Sequence, residues 1–237
     1  IFQGNCTALV TPFSRNGEKI NFKVLADLLD MQIDCNSSAV LILGTTGESA
    51  TLTKEEKISV VKFAIKHVAG KIPVIVGAGS NNTKKAIENS KLFESIGADA
   101  LLHVTPYYNK CTQKGLIEHF TKIADSVNIP IILYNIPSRT GIKEASGNLT
   151  QIGEIIRICP KDFAVYSGDD NLTLPILSLG GKGVISVFGN LAPFIMQELC
   201  HEYFNGNTIY ACKIQHKISP IIKQLFCEVN PIPIKEA

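Results

Sequence analysis

The seven cysteines, at positions 6, 35, 111, 159, 200, 212 and 227, contain no CxxC pair. An odd and scattered set of thiols argues against a disulfide framework or a zinc knuckle and reads as reduced cysteine. The five histidines show no HExxH or HxH spacing, so no metal site is expected. No apolar run reaches the ~18 residues of a membrane span. The opening Ile1-Phe2-Gln3-Gly4 lacks the basic, apolar and small-residue order of a signal peptide, and a cytoplasmic location is expected. Charge of one sign is scarce: 23 Lys and Arg against 21 Asp and Glu give a net +2. Without a basic stripe there is no footprint for nucleic acid. Glycine (18) and proline (11) are too ordinary for collagen or disorder.

What is present is a core-forming chain of 237 residues, 45% of them hydrophobic. That is enough for one large domain. Apolar runs fall at residues 6–11, 39–44, 73–79, 100–106, 130–137, 163–167 and 183–188. They are continuous rather than alternating, as strands covered on both faces are. Amphipathic stretches lie between them. One begins at Phe22 after Asn21, a good N-cap. Another follows the capping box Thr53-Lys54-Glu55-Glu56, with Ile58, Val61, Ala64, Ile65 and Val68 as its apolar stripe. Residues 83–96 and 113–127 repeat the theme, and Gly97 and Gly206 suit positions just beyond helix ends. Strand starts recur about every 27–34 residues through the first five runs, the size of a βα unit. The pattern predicts an α/β fold, a (β/α)₈ barrel or a doubly wound sheet. After Asn190 it is helical only, with helices near 193–204 and 208–227. These runs divide the chain into an α/β unit over 1–205, barrel or open sheet, and the start of a C-terminal helical region over 206–237.

One place breaks the arithmetic. Gly141-Ile142-Lys143-Glu144-Ala145-Ser146 reads as a further strand, yet the preceding run ends near Pro137. Parallel neighbours need a crossover of roughly a dozen residues. Either these runs are not parallel neighbours, or the sequence as given omits a segment near 140–142. Omission is the favoured reading. It expects a Cα–Cα distance there well beyond the ~3.8 Å of a trans peptide.

In either architecture, sites form at the carboxyl ends of strands. Those ends carry Gly44-Thr45-Thr46-Gly47-Glu48, Thr105-Pro106-Tyr107-Tyr108, Tyr134-Asn135-Ile136-Pro137-Ser138-Arg139, Lys143-Glu144 and Ser167-Gly168-Asp169-Asp170. Most other lysines lie on helix faces or in turns, whereas Lys143 lies inside a strand. A dry barrel interior would lower its pKa and leave a neutral amine able to attack a carbonyl. A lysine paired with a buried carboxylate fits the same position. Tyr134 is placed to relay protons to an adduct on Lys143. Thr45 and Thr46 offer hydroxyl and N–H donors to a small carboxylate, although an ordinary strand-to-helix turn accounts for Gly44 to Gly47 as well. Gly77-Ala78-Gly79 begins like a dinucleotide loop, but Asn82 stands where the third glycine belongs.

At these residues the chain resembles the dihydrodipicolinate synthase family of pyruvate-dependent class I lyases. The resemblance runs from Gly4 to the last residues. It rests on Gly44-Thr45-Thr46-Gly47-Glu48-Ser49, Val104-Thr105-Pro106-Tyr107-Tyr108-Asn109, Tyr134-Asn135-Ile136-Pro137-Ser138-Arg139-Thr140-Gly141, Ile142-Lys143-Glu144-Ala145-Ser146-Gly147 and Asn230-Pro231-Ile232-Pro233-Ile234-Lys235. It implies a (β/α)₈ barrel with C-terminal helices, condensation of pyruvate with L-aspartate 4-semialdehyde in lysine and diaminopimelate biosynthesis, and no cofactor. Lys143 would form the imine, with Thr45, Tyr134 and Tyr108 as proton relay. Tyr108 would cross into a neighbouring subunit of a homotetramer, a dimer of dimers. Thr45 and Thr46 would hold the pyruvate carboxylate, Arg139 the carboxylate of the aldehyde substrate, and Gly168 and the Ile185 carbonyl would line the pocket. The family carries a helix between the Arg-bearing loop and the Lys-bearing strand that is absent from this sequence. At the regulatory site of lysine-inhibited members this chain has Ser49, Ala50, Asn81 and Tyr107, which fit, but also Lys54, Lys57 and Lys85, whose charges would repel an amine effector. Feedback inhibition is expected to be weak or absent.

Three other readings are set against this one. Another pyruvate aldolase, such as N-acetylneuraminate lyase, would share Lys143 and Tyr134 but would not need Arg139; Ser138-Arg139 and Tyr107-Tyr108 favour the synthase. A non-catalytic homologue would have lost Lys143, Tyr134 or Thr45, and all three are present. A nucleotide-dependent enzyme is disfavoured by the incomplete glycine fingerprint.

Overall fold

The capping box at Thr53 forms as its sequence predicts: the Glu56 N–H donates to the Thr53 hydroxyl (3.2 Å), and the Glu56 carboxylate accepts from the Thr53 N–H (2.8 Å). It starts one of nine helices among the described residues of the computed structural model, which describes residues 1–108, 111–135 and 143–237, with only the backbone of Asn135, Lys143 and Glu144. Eight strands alternate with most of these helices. In chain order they are β1 (Gly4–Ala8), α1 (Phe22–Asp34), β2 (Ala39–Ile42), α2 (Lys54–Val68), β3 (Val74–Gly77), α3 (Thr83–Ile96), β4 (Ala100–Val104), α4 (Gln113–Ala124), β5 (Ile131–Asn135), β6 (Lys143–Glu144), α5 (Leu149–Ile158), β7 (Tyr166–Ser167), α6 (Thr173–Ser178), β8 (Gly183–Ser186), α7 (Pro193–Phe204), α8 (Thr208–Leu225) and α9 (Ile232–Glu236).

All eight strands are parallel, and pairing of β1 with β8 (Cys6 opposite Ile185) closes the ring. The doubly wound alternative is thereby excluded, because an open sheet has two unpaired edges. Each strand is shorter than the apolar run that predicted it. The ends of the runs leave the ladder and turn into the mouth of the barrel, as Leu43 does at φ +56° immediately after β2. The helix expected over 113–127 stops at Ala124, and the one expected over 208–227 stops at Leu225. Gly97 and Gly206 have φ of +105° and +86° at the ends of α3 and α7, a conformation that costs glycine little.

Two layers of apolar packing follow from the ring. Inside it, Cys6, Ala8, Leu41, Ile75, Leu102 and Ile185 form one buried cluster. Outside it, Leu25, Leu29, Val61, Ala64 and Phe93 of the helices meet Val40, Ile42, Val74 and Val76 of the strands. A third cluster joins β8 and α7 to α8 and α9 through Val184, Met196, Leu199, Ile218, Ile222 and Ile234, so the C-terminal helices share the barrel's packing.

The connection from β5 to β6 differs from the other six within the ring. A described helix joins every other successive pair of strands. Between Asn135 and Lys143 there are only residues 136–142, which lie outside the described residues, as does the chain break expected at 140–142. Beside β5, a groove of about 440 Å³ is lined by Phe120, Ala124, Ile131, Leu133 and Phe163 and reaches Ile132 and Tyr166 of the interior cluster.

Candidate active site

Part of the mouth of the barrel is built by the turns that follow β2 and β3 and by the ends of β4 and β5. A small cavity of about 60 Å³ there is lined by Gly44, Thr45 and Ser49 of the first turn, Gly77 and Gly79 of the second, Val104, and Tyr134. Thr45 and Tyr134, both expected in the proton relay, therefore share one cavity. The backbone of β6 puts residue 143 in register with Tyr134 on one side and Tyr166 on the other. Both neighbours belong to the interior cluster.

The glycines of the second turn serve packing rather than phosphate binding. A Cβ on Gly77 would stand 2.1 Å from the Leu43 carbonyl oxygen, and one on Gly79 would stand 2.8 Å from the Val104 nitrogen. The apparent start of a dinucleotide loop is a place where backbones of adjacent turns touch.

The turn after β2 is held from several sides. The Thr11 hydroxyl donates to the Gly47 carbonyl (2.7 Å), and the Glu48 N–H donates to the Thr45 carbonyl (3.0 Å). Thr46 is buried, and its hydroxyl accepts from the Asn230 amide at 2.9 Å. Lys235 pairs with Glu48 at 2.5 Å. Thr46 thus stands beneath the turn, while Thr45 is exposed at the cavity.

Gly168 follows β7 directly, and Ile185 is buried within β8. Both stand on the far side of the ring from β3 and β4 and do not line the small cavity. Next to them lies Asp170, which sequence reasoning left without a role. Its carboxylate accepts from the Val187 and Phe188 N–H groups at 3.0 and 3.1 Å, bracing the turn after β8. Burial pushes its pKa up, against the hydrogen bonds from Ser186 and those two amides. Asn190 makes a similar brace: it accepts from the Val10 N–H (3.0 Å) and donates to the Ala8 carbonyl (2.8 Å). Neither residue belongs to a short motif; only the folded ring brings them to β1 and β8.

Tyr108 is 94% exposed with φ +81° and is not among the residues that line the cavity of Thr45 and Tyr134. Arg139 lies outside the described residues. Of the expected regulatory residues, Ser49 lines the same cavity as Thr45, Ala50 and Lys54 are exposed, and Asn81 donates to the Tyr107 carbonyl (3.4 Å). The Lys57 ammonium is pushed to lower pKa, first by burial and then by the charge of Lys85. Lys85 also pairs with Glu88 at 3.5 Å. Among the described residues no three His, Cys, Asp or Glu side chains are grouped to hold a metal ion, and no helix is long and apolar enough to cross a membrane.

Known proteins agree with this architecture. The sequence model of the dihydrodipicolinate synthetase family matches residues 1–142 and 140–237. The 4-hydroxy-tetrahydrodipicolinate synthase of Caldicellulosiruptor saccharolyticus is 49% identical, covering all of this chain and 86% of its own. That alignment runs over 256 positions, so the relative carries residues that this 237-residue chain lacks. Among solved structures, the lysine-bound enzyme of Cyanidioschyzon merolae has a TM-score of 0.95 at 42% identity, covering 99% of this chain and 87% of its own. The chloride-inhibited dihydrodipicolinate synthase of Acinetobacter baumannii, complexed with pyruvate, has a TM-score of 0.95 at 39% identity with the same coverage. This chain belongs to the dihydrodipicolinate synthetase family.

Proposed function

We propose that this chain is a lyase that condenses pyruvate with L-aspartate 4-semialdehyde to 4-hydroxy-tetrahydrodipicolinate, through an imine on Lys143. The observation that carries this reading is the common cavity of Thr45 and Tyr134 at the mouth of a closed barrel, with residue 143 in register beside Tyr134. A strand position inside a ring of apolar residues disfavours an ammonium and favours a nucleophilic amine.

The steps follow from that placement. The Lys143 nitrogen attacks the ketone carbon of pyruvate, and water leaves as the iminium forms. The hydroxyls of Tyr134 and Thr45 supply and accept the protons of this exchange. The iminium draws electrons from the neighbouring methyl group, which loses a proton to give an enamine. The enamine carbon attacks the aldehyde of the second substrate. The amine of that substrate then displaces Lys143 and closes the ring. Thr46 and the backbone of its turn orient the pyruvate carboxylate, while Gly168 and Ile185 would border the bound substrates from the opposite side of the ring. Arg139, as a planar bidentate donor, takes the carboxylate of the aldehyde substrate. No step calls for a cofactor.

Borohydride reduction in the presence of pyruvate, followed by peptide mapping, tests the chemistry. We expect a stable adduct on Lys143; an adduct on another lysine, or none, overturns it. The Ser138-Arg139 and Tyr107-Tyr108 pairs favour the synthase over other aldolases, and cleavage of sialic acid would reverse that choice. The protein is expected to act in the cytoplasm as a homotetramer in which Tyr108, exposed on its own subunit, completes the relay of a neighbour. The cations Lys57 and Lys85, with Lys54 nearby in sequence, support weak or absent inhibition by L-lysine. Half-maximal inhibition at submillimolar L-lysine would overturn that expectation.

A further inference from the structure

The motif Asn230-Pro231-Ile232-Pro233-Ile234-Lys235 has no part in the chemistry above, yet it reaches the turn that presents Thr45 from the far end of the chain. Asn230 donates to the Thr46 hydroxyl across 184 positions of sequence, and Lys235 pairs with Glu48 across 187. The Lys235 ammonium also sits 4.6 Å from the centre of the Phe13 ring, where a cation is attracted to the aromatic face. Both members of the Lys235–Glu48 pair are about one-quarter exposed, so water screens them less than a surface pair. Ile234, between the two contacts, is buried in the cluster that joins α8 to β8 and fixes the segment from below.

Glu48 needs such a hold. Its φ of +53° lies in the left-handed region, which a non-glycine residue keeps only where its surroundings over-determine it. We propose that Asn230 and Lys235 are positioning residues: together they clamp the turn between Gly44 and Glu48, and so set the place of the Thr45 hydroxyl and of the backbone that receives the pyruvate carboxylate. The proposal rests on the site reading given above and adds to it a strap from the C-terminal segment.

A purely structural role and a positioning role differ in their consequences. The Oδ1 atom of Asn230 is buried without a hydrogen-bond partner among the described residues. Asn230→Ala removes that unsatisfied acceptor as it releases Thr46, so the two effects on stability oppose each other. The thermal midpoint should move little while the turn loosens. Lys235→Met keeps the apolar stem and removes the charge that pins Glu48; Lys235→Arg restores it.

The test compares wild type, Asn230→Ala, Lys235→Met and Lys235→Arg by two readouts. The first is amide hydrogen exchange over residues 44–48. The second is pyruvate KM and kcat, with the rate of borohydride trapping. In Asn230→Ala and Lys235→Met we expect faster exchange confined to the turn, pyruvate KM raised roughly 10-fold and kcat changed less, as for lost positioning of bound substrate. Lys235→Arg should approach wild type in both readouts. Unchanged exchange in both deletion variants overturns the strap, whatever the kinetics. Faster exchange with unaltered pyruvate KM overturns its role in the reaction. A wild type that forms no pyruvate adduct overturns the site reading, and with it the catalytic half of this proposal, while exchange still decides whether the clamp exists.

Discussion

Single residues at the mouth carry conformations that their own chemistry disfavours. Leu43, Glu48 and Tyr108 all have positive φ without being glycine. Leu43 is buried and Glu48 is held by Lys235, so surroundings rather than preference keep these two in place. Buried titratable residues show the same dependence on surroundings. His103 lies on β4 beneath α3, with Ser90 Oγ 3.2 Å from its Nε2. Burial, and secondly the charge of His119, push its pKa from 6.5 down to about 4. Between those values the unfolded chain takes up a proton at this residue and the folded chain does not. Stability must therefore fall as pH drops from about 6.5 to about 4 and level off below. The full loss from His103 is about 3 kcal/mol. Denaturant unfolding at several pH values should show that slope, and His103→Leu should remove this part of it. An unchanged slope in the variant would assign the pH dependence to other groups.

Elements show where the sequence and the fold part company. Six of the seven strand-to-strand connections within the ring contain a described helix, and the seventh offers residues 136–142. An apolar groove runs between β5 and the chain entering β7, the two neighbours of β6 in the ring. The two stretches matched by the family model meet at 140–142, and the Caldicellulosiruptor alignment is longer than this chain. Inserting the relative's corresponding segment between Thr140 and Gly141 should cover the groove. We expect the thermal midpoint to rise by at least ~4 °C, the shift that about 1–2 kcal/mol produces in a domain of this size. A midpoint that stays put or falls would show that the groove is not the seat of that segment.

For the whole molecule, the question is whether one barrel holds a complete site. Tyr108 is 94% exposed and does not line the cavity of Thr45 and Tyr134, so a relay role for its phenol calls for a pocket that another copy would supply. Tyr108→Ala and Lys143→Ala should each lower turnover by roughly 10²-fold or more. Mixing the two inactive chains and letting subunits exchange should restore part of the activity, because some mixed pairs contain one site with both residues intact. No recovery in demonstrably mixed oligomers would confine Tyr108 to its own subunit.

Much of this protein was legible in the sequence alone. Continuous apolar runs at a near-constant spacing specify parallel strands covered on both faces, because only that arrangement buries both sides of every strand. The capping box at Thr53 and the helix-ending glycines are local devices, and local residues suffice to form them. The placing of Thr45 and Tyr134 at the ends of β2 and β5 was legible as one mouth, since a βα repeat returns every strand end to the same side. Closure of the ring was a matter for tertiary structure. So was the choice between a phosphate loop and close packing at Gly77, which turned on the position of the Leu43 carbonyl. The hold of Asn230 and Lys235 on the Thr46 turn spans more than 180 residues of sequence. Contacts that distant depend on how the C-terminal helices pack against β8, and no local pattern of residues encodes that path.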